Sequence, residues 1–164
     1  MLPLALALAL AVAVADQWTK AVVRGGFALH ESLPVIPHFF SLTYVRNTGA
    51  AWGLMSDWTL PLAGVGVAVA VAVVVFRKKL FFPGARGLWV MGLLLGGIAG
   101  NLCDRLRLGY VTDFLDFHAG TAHFPAFNVA DAAICTACGL QILFVWLAER
   151  GGGEAAVPPS RSKK

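Results

Sequence analysis

The chain has 164 residues, 58% of them hydrophobic, and its 13 Lys and Arg against 9 Asp and Glu leave a formal net charge of +4. Charged residues are 13% of the total, well below the roughly 25% of soluble domains. With a mean hydropathy of +0.72, this composition excludes an ordinary soluble domain, a disordered chain, a disulfide framework and a nucleic-acid binder, and it leaves a polytopic membrane protein.

Four apolar segments follow one another: Met1 to Ala15, Leu60 to Phe76, Leu88 to Cys103, and Phe124 to Leu147, the last interrupted by Asp131. Each is read as a membrane-crossing helix. The first three are near the short end of the roughly 17 to 25 residue range, so their polar ends lie close to the membrane surface. The expected spans are about 1–19, 59–76, 87–104 and 124–148, which with an outer segment 20–58 form one unit over residues 1–150. The small residues Ala13, Val14 and Ala15 before Asp16 satisfy the rule for a signal-peptide cleavage site. No Lys or Arg precedes that run, however, and its removal would put the two basic termini on opposite sides, so the segment is read as a retained span.

Short cytoplasmic loops are enriched in Lys and Arg, so the loop with Arg77, Lys78, Lys79 and Arg86 is inside. Four spans then place both termini inside, in agreement with Arg150, Arg161, Lys163 and Lys164 near the C-terminus. Topology thus accounts for the pI of 9.3 without nucleic acid. Residues 151–164 combine Gly, Pro and Ser with charge and are expected to form a disordered cytoplasmic tail.

Outside the membrane, Lys20 to Trp58 is long, and Phe39 to Arg46 is β-branched and aromatic with partial alternation, the pattern of strands in a small sheet lying on the membrane surface. The second outer stretch, Asp104 to His123, holds most of the remaining acids. The expected fold is therefore an all-α membrane protein of four transmembrane helices with a small extracytoplasmic β-sheet from the first outer loop. Cys103, Cys135 and Cys138 lie in or beside apolar runs and are read as small apolar side chains. Cys135 and Cys138 have redox spacing but lack the strand-turn-helix context of such motifs.

At about 1.5 Å per residue, Asp16 lies roughly 22 Å from the inner end of its helix, Asp104 roughly 27 Å and Asp131 roughly 28 Å, against a hydrocarbon thickness of about 30 Å. Three acids on three helices thus converge at the outer boundary. Asp16 and Lys20 are spaced i, i+4; Asn101, Asp104 and Arg105 are i, i+3, i+4; Asn128 and Asp131 are i, i+3. Carboxylates facing lipid are costly, so these faces should point into the bundle. Gly92, Gly96 and Gly100 repeat every four residues and let a neighbouring helix approach closely.

Five blocks carry the polar residues: Asp16-Gln17-Trp18-Thr19-Lys20; Asn47-Thr48-Gly49-Ala50-Ala51-Trp52-Gly53; Gly96-Gly97-Ile98-Ala99-Gly100-Asn101-Leu102-Cys103-Asp104-Arg105; Val111-Thr112-Asp113-Phe114; and Phe127-Asn128-Val129-Ala130-Asp131-Ala132. In order and spacing they resemble the signature blocks of the lipoprotein signal peptidases (signal peptidase II), over nearly the whole chain except its tail. Trp52, where Phe is expected, is a minor aromatic exchange. The resemblance implies an aspartic peptidase of the bacterial cytoplasmic membrane, with its site near the extracytoplasmic face, which removes the signal peptide from prolipoproteins just before the diacylglyceryl-modified cysteine. It implies Asp113 and Asp131 as the catalytic pair, with neither metal nor cofactor. The expected partners are prolipoproteins and membrane lipid, with the chain acting as a monomer.

Two carboxylates held close share a proton, so that one is a general base on water and the other a general acid toward the scissile carbonyl. Which is the base stays open. Asn101 and Asn128 are expected to hold the pair or the substrate backbone, and Asn47 and Gly49 to meet the substrate from the outer loop. Asp16 with Lys20, and Asp104 with Arg105, are expected to be structural pairs that fix the helices. Asp116, three residues along, is the nearest competitor of Asp113. The segment from Phe39 to Trp58 is expected to form a mobile cover over the site.

Three other readings compete. A zinc peptidase would draw on His118, His123 and Asp113 or Asp116, but no His-Glu-x-x-His is present and the histidines are too loosely spaced for one helical face. A proton-coupled transporter would use the same carboxylates, yet it predicts polar groups along the depth of the bundle, which the inner halves of spans two to four largely lack. A non-catalytic assembly factor would not require paired acids.

Overall fold

The structure, a computed structural model, describes residues 2–49 and 58–150. Met1, residues 50–53 of the second block, the remaining part of the expected cover up to residue 57, and the 151–164 tail lie outside the described residues.

Within a bilayer every backbone polar group must be bonded inside its own segment, so long apolar runs become helices. Four helices are long and apolar enough to cross a membrane: α1 (Leu2–Gly26), α2 (Thr59–Leu80), α3 (Ala85–Leu108) and α4 (Val129–Arg150). Two boundaries differ from the sequence reading. Helix α1 continues past position 19 to Gly26, which sets Asp16, Lys20 and Arg24 at four-residue intervals on one face. Helix α4 begins at Val129 and not near Phe124, because the preceding apolar residues serve the sheet. There Leu115 N–H donates to the Phe127 carbonyl at 2.8 Å and Phe127 N–H returns to the Leu115 carbonyl at 3.1 Å.

Helix α3 is the centre of the bundle and packs against α1, α4 and α2. Its glycines permit this. A Cβ at Gly92 would meet Leu8 of α1 at 2.6 Å, and one at Gly96 would meet the Ala9 carbonyl at 2.7 Å. Gly97 points the other way, where a Cβ would collide with the Ala130 carbonyl and Ile134 of α4. A backbone carbonyl cannot rotate aside, so Gly97→Ala is expected to destabilise the protein by about 1–3 kcal/mol, the usual cost of overpacking. The check is thermal unfolding in detergent, where an unchanged midpoint would contradict this seating of α4.

Above the bundle lies an antiparallel sheet of order β1-β2-β3-β4, formed by β1 (Ser32–Ile36), β2 (Phe40–Asn47), β3 (Val111–Ala119) and β4 (Ala122–His123). The first outer loop supplies β1 and β2 as expected, and the second outer stretch adds β3 and β4. Helix α3 ends at Gly109, whose φ of +78° is the left-handed conformation that glycine adopts freely, and the chain turns there into β3. Strand β1 is the exposed edge, a position that tolerates Pro34. Val23 of α1 packs with Tyr44 and Phe114 in a buried cluster that seats the sheet on the C-terminal end of α1.

Candidate active site

Strands β2 and β3 pair with Val45 opposite Asp113 and Asn47 opposite Val111. Alternate residues share a face, so Asn47 lies on the same side as Asp113. Its Nδ2 donates to Asp113 Oδ2 at 3.0 Å, while its Oδ1 accepts from the Gly49 N–H at 3.0 Å and fixes the turn that follows. Asn128 Nδ2 donates to Asp113 Oδ1 at 2.6 Å and to Asn101 Oδ1 at 3.2 Å. Asn101 Nδ2 then donates to Asp131 Oδ1 at 2.7 Å, and Lys20 Nζ donates to Asn101 Oδ1 at 2.9 Å. The two carboxylates are therefore joined through a pair of amides whose directions are set at both ends.

Asn128 also starts α4. Its Oδ1 accepts the Asp131 N–H at 3.0 Å, and Asp131 Oδ2 accepts the Asn128 N–H at 3.3 Å, a reciprocal cap of the capping-box kind. The Asn-Val-Ala-Asp block is thus at once a helix start and a device that aims Asp131. Asp113 and Asp131 line one cavity of about 750 Å³, whose walls include Val45, Asn47, Arg105, Phe127, Ile134 and Cys135. Asp113 is 2% exposed. Burial raises its pKa to about 7, Asp131 adds to the rise, and the Asn47 and Asn128 amides oppose it.

Beneath the cavity lies a buried ionic cluster. Lys20 Nζ is 2.8 Å from Asp16 Oδ2 and 3.5 Å from Asp104 Oδ2, and Arg24 is 3.5 Å from Asp104 Oδ1. Two acids and two cations balance in charge. Each acid also holds one wall of the cavity: Asp16 Oδ1 accepts the Ala130 N–H at 2.9 Å, beside Asp131, and Asp104 Oδ2 accepts the Thr112 N–H at 2.9 Å, beside Asp113. Gln17 Nε2 ties α1 to the Gly100 carbonyl and to Asp104 Oδ1, each at 3.0 Å.

The expected Asp16 and Lys20 pair is present, whereas Asp104 pairs with Lys20 and Arg24 and not with Arg105. Consecutive residues on a helix point about 100° apart, so Arg105 cannot follow its neighbour into the cluster. Its guanidinium turns toward the Gly49 carbonyl at 3.4 Å and lines the cavity. Arg24, Gln17 and Thr59 were not singled out by sequence. Arg24 continues the Asp16 and Lys20 spacing, a usable signal. Thr59 Oγ1 lies 2.8 and 2.9 Å from the carbonyl oxygens of Thr48 and Gly109, a link that nothing in the sequence announces.

Asp116 lies away from the cavity: it accepts from the Thr43 hydroxyl at 2.9 Å and lies 2.9 Å from His123 Nδ1. The His118 and His123 rings stack with centroids 4.9 Å apart. Among the described residues no group of three or more His, Cys, Asp or Glu side chains is arranged to hold a metal ion.

Fold and site together define a multi-pass membrane protein that carries two carboxylates over a cavity at one end of its helix bundle. The chain belongs to the signal peptidase II family: residues 8–147 match the family described as Signal peptidase (SPase) II. It is similar to the lipoprotein signal peptidase of Shewanella loihica, 43% identical over 146 residues that cover 83% of this chain and 82% of the relative. The lipoprotein signal peptidase of Syntrophotalea carbinolica is 42% identical over 134 residues, covering 80% of this chain and 83% of the relative. A bacterial membrane enzyme solved by the in meso method at 2.3 Å superposes with a TM-score of 0.83 at 31% identity, over 94% of each chain.

Proposed function

We propose that this protein is an intramembrane aspartic endopeptidase that removes the signal peptide from diacylglyceryl-modified prolipoproteins, cutting just before the lipidated cysteine. The observation that carries this reading is the linkage of Asp113 and Asp131, through Asn128 and Asn101, over a single cavity at the sheet end of the bundle. Its setting is the bacterial cytoplasmic membrane, with both termini cytoplasmic and the site near the extracytoplasmic face, an orientation supported by the basic loop between α2 and α3. One chain supplies both carboxylates, so a monomer suffices.

Asp113 carries the shared proton, in keeping with its burial. Asp131, at a helix N-terminus where negative charge is favoured, is the base. Asp131 takes a proton from water as the water oxygen bonds to the scissile carbonyl carbon, and Asp113 gives its proton to the carbonyl oxygen. The tetrahedral diol then collapses: Asp113 retakes the hydroxyl proton, Asp131 protonates the departing amine, and the carbon–nitrogen bond breaks, leaving a carboxylic acid and an amine with the pair restored. Asn47, Asn101 and Asn128 keep the two carboxyl groups in place, Gly49 shapes the turn beside them, and the apolar walls exclude bulk water.

The test is cleavage of a purified diacylglyceryl-modified prolipoprotein, followed as a gel shift, with and without a metal chelator and across pH. Cleavage is expected to persist with chelator. Below about pH 7 Asp113 of the free enzyme holds the proton that the carbonyl oxygen needs, and above it that proton is lost, so kcat/KM should fall about tenfold per unit on the alkaline side. Chelator-sensitive cleavage, or a profile flat from about pH 6 to pH 9, would overturn the assignment.

A further inference from the structure

Asp131 and Glu149 stand 18 residues apart on α4, five turns of helix, so they point the same way about 27 Å apart. Between them on that face lie Cys135, Cys138, Ile142, Val145 and Trp146, all exposed, with Ile142 70% exposed. The opposite face, Ala130, Ala133 and Ala137, is buried in the bundle. At its outer end the stripe is continuous with the active-site cavity, which Cys135 lines. At its inner end it opens into a groove of about 350 Å³ formed by Gln141, Ile142, Val145, Trp146 and Glu149.

The charge at the inner end is unusual. Arg77, Lys78, Lys79, Arg86 and Arg150 dominate that boundary, and Glu149 is the single acid there among the described residues, within ion-pair distance of none of them. All other described acids lie toward the sheet end of the bundle.

We propose that this face of α4 docks the apolar helix of the substrate's signal peptide, and that Glu149 receives the basic residues at that helix's cytoplasmic end. The proposal rests on the peptidase reading above. A signal peptide presents, in order, a basic segment, an apolar run and a small-residue cleavage site. With the cleavage site held at Asp131, its apolar run lies along the stripe and its basic segment arrives five turns below, at a carboxylate. Separation and sign both match, over a length close to the roughly 30 Å of the hydrocarbon core.

The experiment uses the full chain in proteoliposomes and three synthetic diacylglyceryl-modified prolipoproteins that differ only in carrying two Lys, two Gln or two Glu ahead of the apolar run. The Lys substrate is expected to have a KM about threefold to fivefold below that of the Gln substrate, the size of one exposed ion pair. Glu149→Gln should erase that difference and Glu149→Lys should shift the preference to the Glu substrate, the effects being confined to KM. In parallel, a photocrosslinker at position 142 in an Asp131→Asn background should capture the signal peptide. Cleavage with equal KM for all three substrates and no crosslink would overturn the docking surface and leave the peptidase reading standing. Crosslinking without cleavage of any substrate by the wild type would sustain the docking surface and overturn the peptidase reading. Crosslinking with charge-independent KM would overturn the role of Glu149.

Discussion

Asp113→Asn and Asp131→Asn are each expected to lower the cleavage rate by about a thousandfold or more, within the range that a positioned acid or base contributes. The exchange keeps the shape of the side chain and removes its proton chemistry. It also puts an amide where both oxygens of Asp113 now accept, from Asn47 and Asn128, so one donor will face another unless an amide turns. Thermal unfolding of each variant beside the cleavage assay separates that cost from loss of chemistry. In the proposed mechanism acid and base act as one unit, so the double variant should be no worse than either single one. Asp116→Asn, on the far side of β3, should stay within about twofold of wild type, because nothing in the cavity touches it. More than a tenth of wild-type turnover in either Asp113→Asn or Asp131→Asn would remove the pair from the mechanism.

The four helices were legible because the bilayer leaves an apolar run no other regular structure, and the Asp16 and Lys20 contact because i, i+4 spacing is a local rule. Long-range pairing was not legible. Val111–Ala119 reads as part of a polar outer stretch, and only its pairing with β2, through Val45 opposite Asp113, makes it a strand and sets the carboxylate over the cavity. The apolar run from Phe124 was assigned to the last span because hydropathy does not distinguish a residue that faces lipid from one, such as Phe127, that pairs with a strand. Asn128 and Asp131 were readable as a pair on one face, and the cap that they form would follow from the same spacing. Their link to Asp113 through Asn101 depends on how α3 and α4 approach, which Gly97 permits but does not announce.

Lys20→Met is expected to be among the most damaging changes in the chain, costing about 3–5 kcal/mol, the range for breaking a buried ion pair by removing one partner. Lys20 and Asp16 are both fully buried, and the ammonium is 2.8 Å from Asp16 and 3.5 Å from Asp104. Without it the cluster passes from balanced to one net negative charge, with Asp16 unpaired. Adding Asp16→Asn should recover part of the loss, since the amide oxygen can still accept the Ala130 N–H and no stranded charge remains. A double-mutant cycle on the unfolding midpoint measures the coupling. A single variant that melts like wild type would show that the cluster does not support the fold. Turnover should not return with stability. Lys20 also holds Asn101 Oδ1, and that contact keeps the Asn101 amide nitrogen directed at Asp131. With methionine in place Asn101 Oδ1 keeps only the Asn128 amide as donor, so its hold on Asp131 loosens, and small misplacements of a reacting group are costly. A stable double variant with kcat reduced at least about tenfold and little change in KM would mark Lys20 as a positioning residue as well as a structural one.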